Sequence, residues 1–242
     1  MNEHAAAAEM ATAAGELLLR LRTTAGGDEL KARGDRRSHE LLMAELAQRY
    51  PDDAVLSEEG VDDPVRLGAE RVWIVDPLDG TREYGEPPRH DWAVHVALWE
   101  KGDLVAGAVA LPALSVTLRS DPPEKIPAPT TARLRIAVSR TRPPAVAQAL
   151  AATLGADLVP LGSAGYKAAA VLLGEADIYA HSGGQWEWDS AAPVAVARAA
   201  GLHTSRLDGS PLVYNRAHPY LPDLLICRPE LENQVRAALD AQ

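Results

Sequence analysis

Phenylalanine is missing from all 242 residues, and cysteine occurs once. The first absence accompanies an abundance of Ala and Arg and carries no functional information. The second excludes an internal disulfide and suits a reducing compartment. Cys227 sits in the apolar run Leu224-Leu225-Ile226-Cys227, the setting of a buried, inert thiol rather than a nucleophile. No stretch of about 18 apolar residues occurs, so no membrane-spanning helix is expected. The start, Met1-Asn2-Glu3-His4, has no positive segment followed by an apolar core, so no secretory signal is expected and the cytoplasm is the expected location. Positive charge is scarce as well: 24 Lys and Arg stand against 34 Asp and Glu, a net charge of -10. That balance lacks the basic face that a nucleic-acid polymer requires. A small phosphorylated substrate stays compatible with it where metal ions screen the site.

What is present centres on Trp73-Ile74-Val75-Asp76-Pro77-Leu78-Asp79-Gly80-Thr81. The run Val72 to Val75 reads as a strand buried on both faces. Asp76 and Pro77 are expected to end it, because proline cannot donate to a ladder. Asp79 follows three positions after Asp76, and Gly80-Thr81 adds a permissive backbone, a free N–H and a hydroxyl. Two carboxylates on one turn with no Lys or Arg between them call for a hard divalent cation held by oxygen ligands. An Asp-rich surface turn uses the same residues, and on this segment alone both readings stand.

Along the chain, residues 3–22 form an Ala- and Leu-rich helix ended near Gly26-Gly27. Residues 28–37 read as a polar connection, with Ser38 as cap of a helix over 38–49 that buries Leu41, Leu42, Met43 and Leu46. Ala54 to Leu56 is a strand running into Ser57-Glu58-Glu59-Gly60, again an apolar strand ending in acids. A polar loop, Arg82 to Asp91, leads to strands over Trp92–Trp99 and Leu104–Leu111 around a Lys101-Gly102-Asp103 turn, and a further strand over 115–119. The first half, 1–120, is therefore an N-terminal α+β subdomain with an antiparallel sheet. The Pro-rich stretch 121–130 reads as a linker. The second half, 131–242, alternates short strands and helices, an α/β subdomain with a mixed, largely parallel sheet. There Pro143 and Gly162-Ser163-Ala164 open helices, and Trp186-Glu187-Trp188-Asp189-Ser190-Ala191-Ala192-Pro193 places Asp189 at another helix start. Asp189 fits an N-cap, and a helix start also suits a phosphate.

Taken together, these segments resemble the inositol monophosphatase superfamily of metal-dependent, lithium-sensitive phosphatases. Trp73–Thr81 matches its motif W-[IV]-x-D-P-[IL]-D-G-T at every position, Trp188–Ala192 matches W-D-x-A-A, and Ser57-Glu58-Glu59 matches the upstream paired-Glu segment. The resemblance covers essentially the whole chain and implies a layered αβαβα sandwich. The stretches 76–82, 91–95, 162–165 and 184–193 are similar to the branch that hydrolyses 3'-phosphoadenosine 5'-phosphate, with inositol 1-phosphate and fructose 1,6-bisphosphate as the next substrates in order. The resemblance also implies roles. Glu58, Asp76 and the Leu78 carbonyl hold one Mg²⁺, while Asp76, Asp79 and Asp189 hold a second, with Glu58 facing a third, weaker ion. Thr81, oriented by Asp35, positions the attacking water, and the Gly80 and Thr81 N–H groups hold phosphate. It implies a homodimer too.

Substrate contacts rest on single residues. Ser163 contacts the sugar or base, or caps its helix. Lys167 and Arg82 neutralise a second phosphate, or are solvated charges. Trp186 stacks on adenine, or packs in the core. His95, in an alternating strand, reads as structural, and His181 lies nearer the expected site. Two other classes are weighed against the phosphatase. A catalytically silent metal- or phosphate-binding protein would have a broken ligand set, and a glycosidase would use paired carboxylates without metal.

Overall fold

The computed structural model describes residues 2–24, 27–128 and 133–241. Gly26 at the expected end of the first helix, Pro129 and Thr130 of the expected linker, and residues 131–132 at the start of the expected second subdomain lie outside the described residues. Helix α1, Glu3–Arg22, begins at Asn2, whose side chain accepts from the His4 and Ala5 N–H groups. Its small residues Ala7, Ala11 and Ala14 are fully buried and let its backbone lie close over the first sheet.

Helix α2 is one helix from Gly27 to Arg49, so the connection expected over 28–37 does not exist and Ser38 is no cap. Its buried stripe is Leu30, Gly34, Ser38, Leu42 and Leu46, one residue in four. Two members are small because the neighbours are close. A Cβ on Gly34 would meet Tyr84 Cε1 at 2.6 Å, and Ser38 Oγ donates to the Pro77 carbonyl at 2.6 Å. Leu41 and Met43 are only partly buried against that stripe.

The first sheet runs β1 (Ala54–Ser57), β2 (Arg71–Asp79), β3 (Ala93–Glu100), β4 (Asp103–Leu111), β5 (Val116–Arg119), in that spatial order. β1 pairs with β2 in parallel, which corrects the all-antiparallel expectation; the other pairings are antiparallel. β2 also runs past Pro77 to Asp79. Its register slips between Asp76 and Asp79, so the missing proline N–H falls in a bulge where no ladder bond is required. Alternate side chains of β2 reach opposite layers. Trp73 and Val75 pack under α1 and α2, and Val72 and Ile74 face the interior of the molecule.

The second sheet has the order β7 (Asp157–Leu161), β6 (Arg135–Ser139), β8 (Ile178–Trp186), β10 (Tyr220–Cys227), β9 (His203–Ser205). β6 is parallel to β7 and β8, and β10 is antiparallel to its neighbours. Helices α5 (Ala164–Leu172) and α6 (Glu187–Ala199) lie between the sheets, and α4 (Ala145–Leu154) and α7 (Glu232–Asp240) cover the far face. α3 is a single turn, Thr81–Tyr84. The result is an αβαβα sandwich. Its middle layer is tight: a Cβ on Gly107 of β4 would lie 2.6 Å from Ala195 Cβ of α6. Cys227 is buried, and burial pushes its thiol up to about 12, so it is inert at neutral pH.

Candidate active site

The bulge in β2 places two carboxylates at the mouth of the middle layer. Asp76 is 1% exposed and Asp79 7%, yet their partners differ. Asp79 points at the start of α5, where it accepts from Ser163 Oγ at 2.5 Å, Ala164 N at 3.1 Å and Gly165 N at 2.6 Å. Ser163 caps that helix at the same time, accepting from Tyr166 N. His95, opposite Asp76 in the ladder, brings Nε2 to 3.3 Å from Asp79 Oδ2 and donates through Nδ1 to the Trp188 carbonyl. Only glycine fits at 165, since a Cβ there would meet His95 Nε2 at 1.9 Å. Lys167 is buried nearby and donates to the Gly162 and Ser163 carbonyls.

Asp76 accepts one hydrogen bond, from Leu78 N at 3.0 Å, has His95 Nδ1 3.9 Å from its Oδ2, and is otherwise surrounded by acids. The Glu58 carboxyl is close enough to oppose the charge on Asp76. Glu58, at the end of β1, is open to solvent on one side. Asp189 comes from the other half of the chain. It is the third residue of α6, and its carboxylate turns back to accept from Trp186 N at 2.6 Å. It therefore caps the helix from inside rather than from the N-cap position.

Electrostatics separates these groups. Burial, then Glu58, Asp79 and Asp189, hold Asp76 well above the usual carboxylate range. Loss of water contact pushes Glu58 up to about 7, opposed by Asp76 and reinforced by repulsion from Asp79, Glu59 and Asp35. Asp189 is raised to about 7 by burial and by Asp79. Asp79 goes the other way. Burial pushes it up, but His95, Lys167 and Ser163 outweigh that and bring it to about 2. Burial lowers His95, and the bond to Asp79 overcomes it, leaving the ring raised. Lys167 is lowered by burial, partly offset by Asp79 and Glu83.

Among the described residues Asp76, Asp79 and His95 offer ligand atoms within 4.8 Å of one another. His95 gives Nδ1–H to the Trp188 carbonyl and turns Nε2 to Asp79, so the donors left for an ion are the carboxylate oxygens of Glu58, Asp76, Asp79 and Asp189. Crowded carboxyls that keep protons near neutrality are groups short of a cation, and an all-oxygen donor set suits a hard divalent ion. These residues fit a metal.

Thr81 begins α3 beside them. Its hydroxyl lies 3.1 Å from Asp35 Oδ1 and 3.2 Å from the Leu78 carbonyl. Burial, then Glu59, raises Asp35 to about 6 against the Thr81 bond. Gly80 takes φ +87°, and a Cβ would come within 3.0 Å of Ser163 Cβ. A cleft of about 500 Å³ opens from Asp79 and Asp189 past Lys167, His181 and Gln185 to Arg142. His181 donates Nε2 to the Gly183 carbonyl, and burial pushes it down to about 4.

The structure thus brings together Glu58, Asp76, Asp79, Thr81, Asp35, Ser163, Lys167 and Asp189. Arg82 is exposed and does not line the cleft. Trp186 is 37% exposed and stacks on Trp188 at 5.4 Å, edge-on to Tyr220, an aromatic cluster outside the cleft wall. His95 was expected to be structural, and it is also the charge partner of Asp79. Nothing in its alternating strand marks it; only its place in the ladder does. Arg142 carried no expectation, and the pair Arg140 and Arg142 directly after β6 was the available signal.

The chain matches the inositol monophosphatase family over residues 2–239. It is 54% identical over 229 residues to a 3'-phosphoadenosine 5'-phosphate phosphatase of Mycobacterium bovis, covering 90% of this chain and 86% of that protein. It is 34% identical over 197 residues to the 3'(2'),5'-bisphosphate nucleotidase CysQ of Escherichia coli, with 76% and 79% covered. Its fold superposes on the crystal structure of CysQ from Bacteroides thetaiotaomicron with a TM-score of 0.80 at 27% identity, covering 93% and 97% of the two chains.

Proposed function

The chain belongs to the inositol monophosphatase family, and on that premise we propose that it hydrolyses 3'-phosphoadenosine 5'-phosphate to AMP and phosphate. The observation that carries this reading is the convergence of Glu58 and Asp76 from the first half with Asp189 from the second, short of a cation, beside the Thr81–Asp35 pair. The Mycobacterium bovis relative's name supplies the substrate.

Mg²⁺ is the expected metal, with two ions and a third, weaker one at Glu58. Glu58, Asp76 and the Leu78 carbonyl would hold one, and Asp76, Asp79 and Asp189 the other. When bound, such ions lower the pKa of water and stabilise charge on phosphoryl and leaving oxygens. The chain does the rest. Thr81 Oγ1 gives its one proton to Asp35, so its lone pairs accept from a water and turn that water's oxygen toward phosphorus. Asp35, raised to about 6, holds that hydroxyl in orientation. The Gly80 and Thr81 N–H groups take phosphate oxygens, and Lys167 with Arg142 along the cleft offsets the second phosphate. Residues 1–120 and 131–242 act as two subdomains of one family domain, each giving acids to the site. A cytoplasmic homodimer is the assembly we expect.

The test compares phosphate release from 3'-phosphoadenosine 5'-phosphate, inositol 1-phosphate and fructose 1,6-bisphosphate with Mg²⁺. The nucleotide should give the highest kcat/KM, and activity should vanish in excess chelator. A higher kcat/KM for either sugar phosphate overturns the substrate, and full activity in chelator overturns the metal.

A further inference from the structure

One buried cation takes no part in the chemistry above. Arg66 lies in a single 3₁₀ turn, Pro64–Gly68, in the connection from β1 to β2, and is 1% exposed. An arginine this buried must be paired, and this one is paired along its whole fork. Nε and one Nη bind both oxygens of Asp62 at 2.6 and 2.9 Å. The other Nη donates to Asn215 Oδ1 at 2.7 Å, and the guanidinium also reaches the Arg216 carbonyl at 2.9 Å. Asn215 closes a clasp, donating Nδ2 to the Arg66 carbonyl at 3.1 Å. The backbone N–H groups of Asn215 and Arg216 then donate to the two oxygens of Glu187 at 2.7 and 2.9 Å. Glu187 is itself 1% exposed.

The two ends of this chain of bonds are what matter. Asp62 follows Glu58 by four residues, and Glu187 precedes Asp189 by two, at the first residue of α6. Arg66 and Asn215 are 149 positions apart, so no short backbone path joins the segments they fix. Glu58 and Asp189 repel each other. A planar guanidinium with pre-set donors is suited to resist that, because little of its freedom remains to be lost.

We infer that Arg66 is a positioning residue: through Asn215 and Glu187 it holds the Glu58 segment and the Asp189 helix at the separation a metal requires. The site is then built before the ion arrives. This rests on the metal site proposed above.

The experiment is a Mg²⁺ titration by calorimetry on the wild type, Arg66→Met and Asn215→Gly. Asn215 stands at φ +59°, which glycine accepts freely, so Asn215→Gly keeps the N–H to Glu187 and removes both side-chain bonds to Arg66. Mg²⁺ should bind about tenfold more weakly to each variant, as when a group that orients a metal ligand is lost. The double variant should be no weaker than Arg66→Met, because Asn215→Gly cuts part of the connection that Arg66→Met removes, and kcat at saturating Mg²⁺ should stay near the wild-type value. If Arg66→Met does not fold, Asn215→Gly decides alone. A folded Asn215→Gly with wild-type Mg²⁺ affinity overturns the positioning role. Absence of Mg²⁺ binding by the wild type overturns the metal site and this role with it.

Discussion

Asp76 and Asp79 are three residues apart on one strand, equally out of water, and opposite in charge behaviour. Asp79 is cradled: the N-terminus of α5, the Ser163 hydroxyl, His95 and Lys167 all favour its anion. Asp76 is crowded, with Glu58, Asp79 and Asp189 around it, one backbone N–H donating to it and the His95 ring only at 3.9 Å. Burial alone therefore does not set the charge of a carboxyl; the donors that arrive with it do. The cradle keeps Asp79 an anion and ties the halves together before any ion binds, whereas the crowd needs a cation to become anionic.

Substitution by asparagine should separate the two most sharply. Asp76→Asn removes the carboxylate proposed to bridge two ions. Turnover should fall below detection, yet the metal-free protein should unfold no more easily, since one crowded acid has gone. Asp79→Asn strips the charge from a buried pair and leaves His95 and Lys167 uncompensated, which should cost about 3 kcal/mol. Urea unfolding of both variants in chelator measures this. Equal losses of stability would erase the distinction between cradle and crowd.

Much of this arrangement was readable in the sequence, and the exceptions share a cause. The acids of β1 and β2 were legible because each ends a continuous apolar run. Glycine and serine hid α2, because its buried stripe passes through Gly34 and Ser38, where Tyr84 and Pro77 leave no room for larger groups. His95 was hidden since a residue in an alternating strand looks like core whichever acid lies across the ladder. The role of Arg66 was hidden because Asp62 is its only near partner, while Asn215 and Arg216 lie 149 and 150 positions away. Pairings of high sequence separation leave no local pattern to read.

The crowd should also be visible as a pH dependence of the metal-free fold. Glu58 and Asp189 are held up to about 7 and Asp35 to about 6, while in the unfolded chain they titrate near about 4. Between roughly pH 4 and pH 7 the fold binds more protons than the unfolded chain, so its stability falls as pH rises through that window. These carboxyls are part-exposed and screened by water, which limits the loss to on the order of 1–2 kcal/mol. Mg²⁺ should reverse the trend, because it binds the deprotonated acids. Thermal unfolding at pH 5 and pH 7.5, with chelator and with Mg²⁺, gives the comparison. Chelated protein that is more stable at pH 7.5 would mean the acids are not crowded.

The smallest effect belongs to the cradle's hydroxyl. Ser163 Oγ donates to Asp79 and accepts from Tyr166 N, so Ser163→Ala removes one donor from the carboxylate and the cap from α5. Asp79 keeps Ala164 N, Gly165 N and His95, and its anion survives. The cost should therefore be that of a lost cap, about 1 kcal/mol, read as a lower urea midpoint with an unchanged slope. KM for the nucleotide separates the two roles weighed for this residue. With its proton on Asp79 and a lone pair on Tyr166 N–H, the hydroxyl is occupied at both ends, so KM should hold within about twofold, well under the cost of one lost hydrogen bond. A rise in KM of about tenfold or more, the cost of a hydrogen bond to a charged group, would move Ser163 from the scaffold to the substrate.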